Sequence, residues 1–217
     1  MNPLGSLGAK PWLQPAQDVP AWGRLPFAPA QVGLAIFMAV VTALFGLLAA
    51  AYLMRMTLGD WRPLPEPPIL WLNTLALALG SAALQRSSTL LRRGDPARAS
   101  TAFVAGGGCA GAFLAGQIAA WAQLDALGYF VATNPANTFF YLLTALHGLH
   151  LLGGLAAWAR TAWHLRSAPG ARATRLGVGL CAAYWHFLLV VWLALLALLM
   201  ADDAGWMPAM HHGAGTG

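Results

Sequence analysis

The sequence predicts an all-α integral membrane protein, a bundle of five transmembrane helices, and three observations carry that prediction. Of 217 residues, 59% are hydrophobic and only 9% charged, against about 25% charged in an ordinary soluble domain. Five uncharged apolar runs are separated by loops rich in proline, glycine and arginine. The few polar side chains inside those runs, His147, His150, His186 and Gln117 among them, must face other helices, because polar groups are costly against lipid.

In chain order, residues 1–30 form a Pro-rich arm. Pro11, Pro15, Pro20, Pro26 and Pro29 forbid a long helix, so the arm is expected to run extended on the membrane surface, with Trp12, Trp22 and Phe27 able to dock there or on a partner. It lacks the continuous apolar region of a secretory signal, and the first apolar run is expected to insert as a mature helix. That run spans about residues 32–54 and ends at Arg55. The breaker-rich segment TLGDWRPLPEPP leads to the second and shortest run, about 69–84, and SSTLLRRGDPARAS reads as a basic loop. The third run, about 102–122, opens on GGGCAGAF. Glycine density of that kind weakens a helix in water but marks close helix contacts in a membrane.

The fourth run, about 138–159, follows a loop with Asn134, Pro135 and Asn137 and carries His147 and His150 three residues apart, hence on one face. Gly148, Gly153 and Gly154 on the same run suggest a helix packed inside the bundle. By that reading, bulk at Gly153 should force helices apart. The fifth run, about 176–200, holds Tyr184 and His186. Residues 31–200 thus form the transmembrane domain, and 201–217 a flexible tail.

Five spans put the chain ends on opposite sides. One side then collects Lys10, Arg24, Arg86, Arg92, Arg93, Arg98, Arg160, Arg166, Arg172 and Arg175, and the other only Arg55 and Arg62. The positive-inside rule places the N-terminus in the cytoplasm and the C-terminal tail in the periplasm. The +5 net charge is therefore a topological signal, not a nucleic-acid one. No phosphate-binding loop, dinucleotide fingerprint or zinc-hydrolase motif occurs, and no carboxylate lies deep enough in a run to complete a hydrolytic triad. Cys109 and Cys181 fall within apolar runs without metal or redox spacing, and read as small packing residues.

Counting from the inner ends at Arg160 and Leu176, His150 and His186 lie at similar depth, ~15 Å in. Neighbouring antiparallel helices could bring them together, with His147 one turn farther out. Two readings are open for this layer: a metal or heme site of three imidazoles, or a structural polar cluster of His147, His150, His186, Gln117 and Tyr184. Met207, Met210, His211 and His212 in the tail offer soft ligands of a kind that hold copper, although in a flexible tail such residues are commonly incidental.

The stretches FFYLLTALHGLHLLGGL and YWHFLLVVWLALL resemble the two most characteristic segments of the cytochrome c oxidase subunit III family of heme–copper oxidases. GLAIFMAVVTALFGLLAAAYL, LWLNTLALALGSAAL and FLAGQIAAWAQL resemble the family's other helices in the same order, so the resemblance covers about residues 30–200. It implies the shorter, five-helix form, without heme, copper or catalytic residues of its own, packed against the catalytic subunit I in a complex that also contains subunit II. Heme and copper would lie in those partners. Support of oxygen reduction and proton pumping, bound phospholipid and a bacterial cytoplasmic membrane location belong to the same implication.

Two departures from the family pattern stand out. The family's helix 1 carries a Ser-Glu pair where this chain has Val40 and Val41, so the glutamate position is lost at Val41. Leu188 and Leu189 stand where the family often has Val-Asp. The resemblance thus points to a non-catalytic accessory subunit of a terminal respiratory oxidase. The alternatives are an accessory protein of a nitric oxide reductase or other respiratory complex, and a stand-alone membrane metalloprotein using the three histidines.

Overall fold

A computed structural model describes residues 28–58, 60–62, 67–131 and 133–203, without the side chains of 202 and 203. The arm aromatics Trp12, Trp22 and Phe27, and the tail residues Met207, Met210, His211 and His212, lie outside the described residues. Five helices follow in order: α1 (Pro29–Met56), α2 (Ile69–Arg92), α3 (Pro96–Ala126), α4 (Pro135–Ser167) and α5 (Arg172–Asp203). Among the described residues there is no strand.

The helices overrun the apolar runs. The segment SSTLLRRGDPARAS, expected as a loop, is mostly helix: α2 continues to Arg92 and α3 begins at Pro96. A three-residue turn suffices because of two local devices. Gly94, at φ +81°, takes the left-handed conformation that ends a helix, with Asp95 N–H donating to Leu90 O at 3.1 Å and Gly94 N–H to Leu91 O at 3.3 Å. The Asp95 carboxylate then caps α3, accepting from Arg98 N–H at 3.1 Å. Gly128 (φ +85°) ends α3 in the same manner, with Tyr129 N–H on Leu124 O at 3.0 Å. Asn134 caps α4 through Ala136 N–H at 3.2 Å, and Pro135 takes the first helical position, where a missing N–H costs nothing.

Four helices, all but α2, are long and apolar enough to cross a membrane. The composition of α2 is diluted by Asn73, Ser81, Ser87 and Ser88, and all four are buried. Its polarity is turned inward against other helices, and its lipid-side residues, Trp71, Leu72, Leu75 and Leu79, are exposed and apolar. α2 packs most extensively on α3, antiparallel to it, as the pairs Asn73–Gln117 and Ser87–Ala99 require. The backbones approach closely at Gly80 and Gly106. A methyl group on Gly106 would stand 2.7 Å from Leu84 Cγ.

α5 lies centrally, touching α1, α2 and α4, and buries Trp185, Leu188 and Trp192 completely. α1 is peripheral. It buries only Val41, Phe45 and Tyr52 and leaves Leu47 and Met54 at 72% and 75% exposure, a surface fit for lipid or another membrane subunit. From its last turn, Arg55 pairs with Asp60 (2.6 and 2.5 Å). The guanidinium hydrogen bond holds the Asp60 carboxyl below its ordinary pKa.

Gly153 corrects an expectation. It is exposed, and a methyl group there would meet nothing within 4 Å. The close contact is at Gly154, where a methyl group would stand 2.8 Å from Tyr184 Cε1. One residue along a helix turns the side chain by about 100°, so adjacent glycines face different surroundings.

Candidate functional site

The five polar residues picked out from the sequence resolve into three places. The first is a histidine layer between α1, α3, α4 and α5. His147 is fully buried. Its ring is enclosed by Phe45 at 6.4 Å, Phe113 at 5.6 Å and Trp192 at 5.4 Å between centroids, and neither of its nitrogens has a hydrogen-bond partner among the described residues. His150, half-buried, sits one turn inward against Phe45 (5.6 Å) and Phe37 (6.1 Å). Its Nδ1 donates to Leu146 O at 2.8 Å, since a carbonyl can only accept. The Tyr184 hydroxyl donates to the His150 carbonyl at 3.1 Å. Val41 is buried one turn from both Phe37 and Phe45, so it belongs to the face of α1 that covers this layer.

The second place is the α2–α3–α4–α5 interior. Gln117 is buried and accepts from Asn73 Nδ2 at 3.3 Å. Gly116 makes that contact feasible, because a methyl group there would fall 1.9 Å from Asn73 Oδ1. Tryptophan N–H groups tie the same helices together: Trp192 to Thr74 Oγ1 at 2.9 Å, Trp121 to Thr144 Oγ1 at 3.1 Å, and Trp158 to Phe103 O at 2.9 Å. These clamps were absent from the sequence reading. For the first two, the legible signal is a tryptophan within an apolar run opposite a threonine; the Trp158 bond to a backbone carbonyl leaves none, and every pairing depends on which helices become neighbours.

The third place is His186, which makes no described contact with His147 or His150. It is exposed on the α2 side of α5, where Nδ1 donates to Ala182 O at 2.8 Å and lies 3.0 Å from Ser81 Oγ. Equal depth put His150 and His186 in one layer by counting. Azimuth separates them, as α5 presents Tyr184 to α4 and His186 to α2. Among the described residues no group of three or more His, Cys, Asp or Glu side chains could hold a metal ion. Cys181 is buried, with its thiol 3.7 Å from Thr161 Oγ1, and Cys109 is partly buried; both are free.

The chain is a polytopic helical membrane protein whose helices are joined by Asn73–Gln117 and by tryptophan N–H groups. The chain matches the cytochrome c oxidase subunit III family over residues 33–201, and it belongs to that family. It is similar to cytochrome c oxidase subunit 3 of Synechocystis sp., with 31% identity over 77% of this chain and 73% of the relative. The same protein of Thermostichus vulcanus is 29% identical over 77% and 85%. A probable cytochrome c oxidase subunit 3 of Mycobacterium bovis is 28% identical over 65% and 71%.

Proposed function

We propose that this chain is the accessory subunit III of a terminal respiratory heme–copper oxidase. The observation that carries the reading is the family match across all five helices, on a bundle whose helices are joined by Asn73–Gln117 and by the tryptophan N–H bonds. The chain supplies no redox centre in this reading. Heme and copper reside in the catalytic subunit I and in subunit II, and this subunit packs on subunit I and supports oxygen reduction and proton pumping by the whole complex. The bacterial cytoplasmic membrane is its location, with the arginine-rich ends of α2, α3, α4 and α5 in the cytoplasm.

Two finer statements belong to the same proposal. A groove of about 700 Å³ between α1, α4 and α5, walled by Phe37, Leu149 and Leu180 with Arg160 among its lining residues, has the chemistry for a phospholipid: acyl chains along the wall and phosphate at the guanidinium. Second, with Val41 in the histidine layer, the membrane core of this subunit holds no carboxylate, so proton transfer in the complex does not pass through a glutamate of this chain.

The test is purification of the tagged chain from its native membrane in mild detergent, with mass spectrometry and an optical spectrum of the eluate. Co-elution with a large heme- and copper-bearing subunit and oxygen-reducing activity is the expected result. A nitric oxide reductase in its place would redirect the assignment to that complex. A colourless chain eluting alone would sink it.

A further inference from the structure

The α1–α2–α5 groove, about 1000 Å³, contains His186 among its lining residues and also Arg92, Arg172 and Arg175. His186 is eleven residues along α5 from Arg175, so its ring lies about 16 Å deeper. Past it, α5 continues to Asp203. The imidazole is therefore in the middle of the hydrocarbon layer, and it is exposed there.

Its protonation pattern follows from its partners. The Ala182 carbonyl, 2.8 Å from Nδ1, can only accept, so Nδ1 carries the hydrogen. In a neutral ring Nε2 is then an acceptor, and among the described residues it has no donor. A lipid tail has no donor to give. A headgroup remains at the interface, well short of this depth. An exposed acceptor at mid-membrane calls for protein on the other side of the groove. The arginines add a second requirement: neither Arg172 nor Arg175 pairs with an acid among the described residues.

We propose that the α1–α2–α5 groove is the docking face for a transmembrane helix of the catalytic subunit, one that presents an O–H or N–H donor to His186 Nε2 at mid-membrane and a carboxylate to Arg172 and Arg175 at its cytoplasmic end. This rests on the oxidase-subunit reading and specifies which face of the subunit meets its partner. Ser81 acts as a positioning residue: its hydroxyl lies at the protonated nitrogen and holds the ring with Nε2 turned away from α2. The peripheral helix α1 forms one wall, so its loose attachment leaves the groove open to an incoming helix.

The experiment uses the whole complex in its native membrane. A photo-crosslinking p-benzoylphenylalanine is placed at Ala183, which is exposed and lines the groove, and adducts are identified by mass spectrometry. In parallel, His186→Gln, which keeps an acceptor near the Nε2 position, and His186→Phe, which does not, are compared for subunit III retained per catalytic subunit after detergent washing. The expected result is an adduct to a membrane-spanning peptide of the catalytic subunit. His186→Phe should dissociate about threefold more readily, the effect of one membrane hydrogen bond, and His186→Gln should be retained as the parent is. Membrane levels of each variant before solubilisation separate lost docking from lost folding. An intact complex that gives only lipid adducts or none at Ala183, or equal retention of the Phe and Gln variants, overturns the docking face and leaves the oxidase reading standing. A parent chain that never co-purifies with a heme-bearing subunit overturns both.

Discussion

At the scale of single residues, His147 and His150 show how two histidines three residues apart on one helix come to different chemistry. His150 finds a carbonyl one turn back and an aromatic neighbour on either side. His147, deeper in the bundle, has three aromatic rings against it and no hydrogen-bond partner among the described residues. An imidazole whose nitrogens are both unpaired in a dry interior carries its desolvation cost without compensation. His147→Leu, close in volume, should therefore leave the subunit as stable as the parent or more stable, by up to about 1 kcal/mol. The thermal midpoint of the purified complex reports this. A clear drop would mean that His147 has a polar partner in the assembly. Val41 belongs to the same argument. A carboxylate at that point of α1 would meet the histidine face, and valine gives it only apolar contact.

At the scale of helices, the bundle is held by close backbone approaches and by single hydrogen bonds across them. Both are short-range, so the azimuth of each residue decides its importance. Gly153 and Gly154 make the comparison within one turn of α4. Gly154→Ala drives a methyl group into the Tyr184 ring at 2.8 Å, with Trp185 at 3.2 Å, and should cost about 1–3 kcal/mol as an overpacked site. Gly153→Ala meets open space and should be neutral, or mildly stabilising through better helix propensity. Equal melting temperatures for the two variants would contradict this packing of α4 on α5. Helices α2 and α3 are pinned differently, by Asn73–Gln117 toward one end and Ser87–Ala99 toward the other. These bonds are separated by about four turns, which fixes the register of the pair.

At the scale of the whole molecule, the charge distribution predicts the orientation. Among the described residues, eight arginines lie near the α2–α3 and α4–α5 turns and two, Arg55 and Arg62, near the other end, so the α2–α3 and α4–α5 turns should be cytoplasmic and the α3–α4 turn periplasmic. Leu127→Cys and Ala168→Cys lie in exposed turns at opposite ends. An impermeant maleimide added to intact spheroplasts should label the first, and the second only after lysis; the reverse pattern would invert the topology. The same end-to-end asymmetry brings the arginines to one mouth of the α1–α2–α5 groove, where a partner's carboxylate would complete them.

Composition and run length were enough to read an all-helical membrane bundle and its five helices in order, because the cost of unpaired backbone in lipid leaves few other solutions for long apolar runs; the family was legible only through the resemblance of particular segments, chiefly in helices 4 and 5. Position along each helix follows from counting, since a helix advances a constant distance per residue. The helix ends were not legible, because Gly94 and Asp95 build a tight turn out of a stretch that reads as a loop. Azimuth was not legible either. Which helix faces which follows from the joint packing of all five, and this separated His186 from His147 and His150 and made Gly154, not Gly153, the close contact. The tertiary structure thus replaced a three-histidine layer by an aromatic-enclosed His147, a carbonyl-bound His150 and an outward-facing His186. Position along the axis is a property of one helix, whereas facing is a property of pairs.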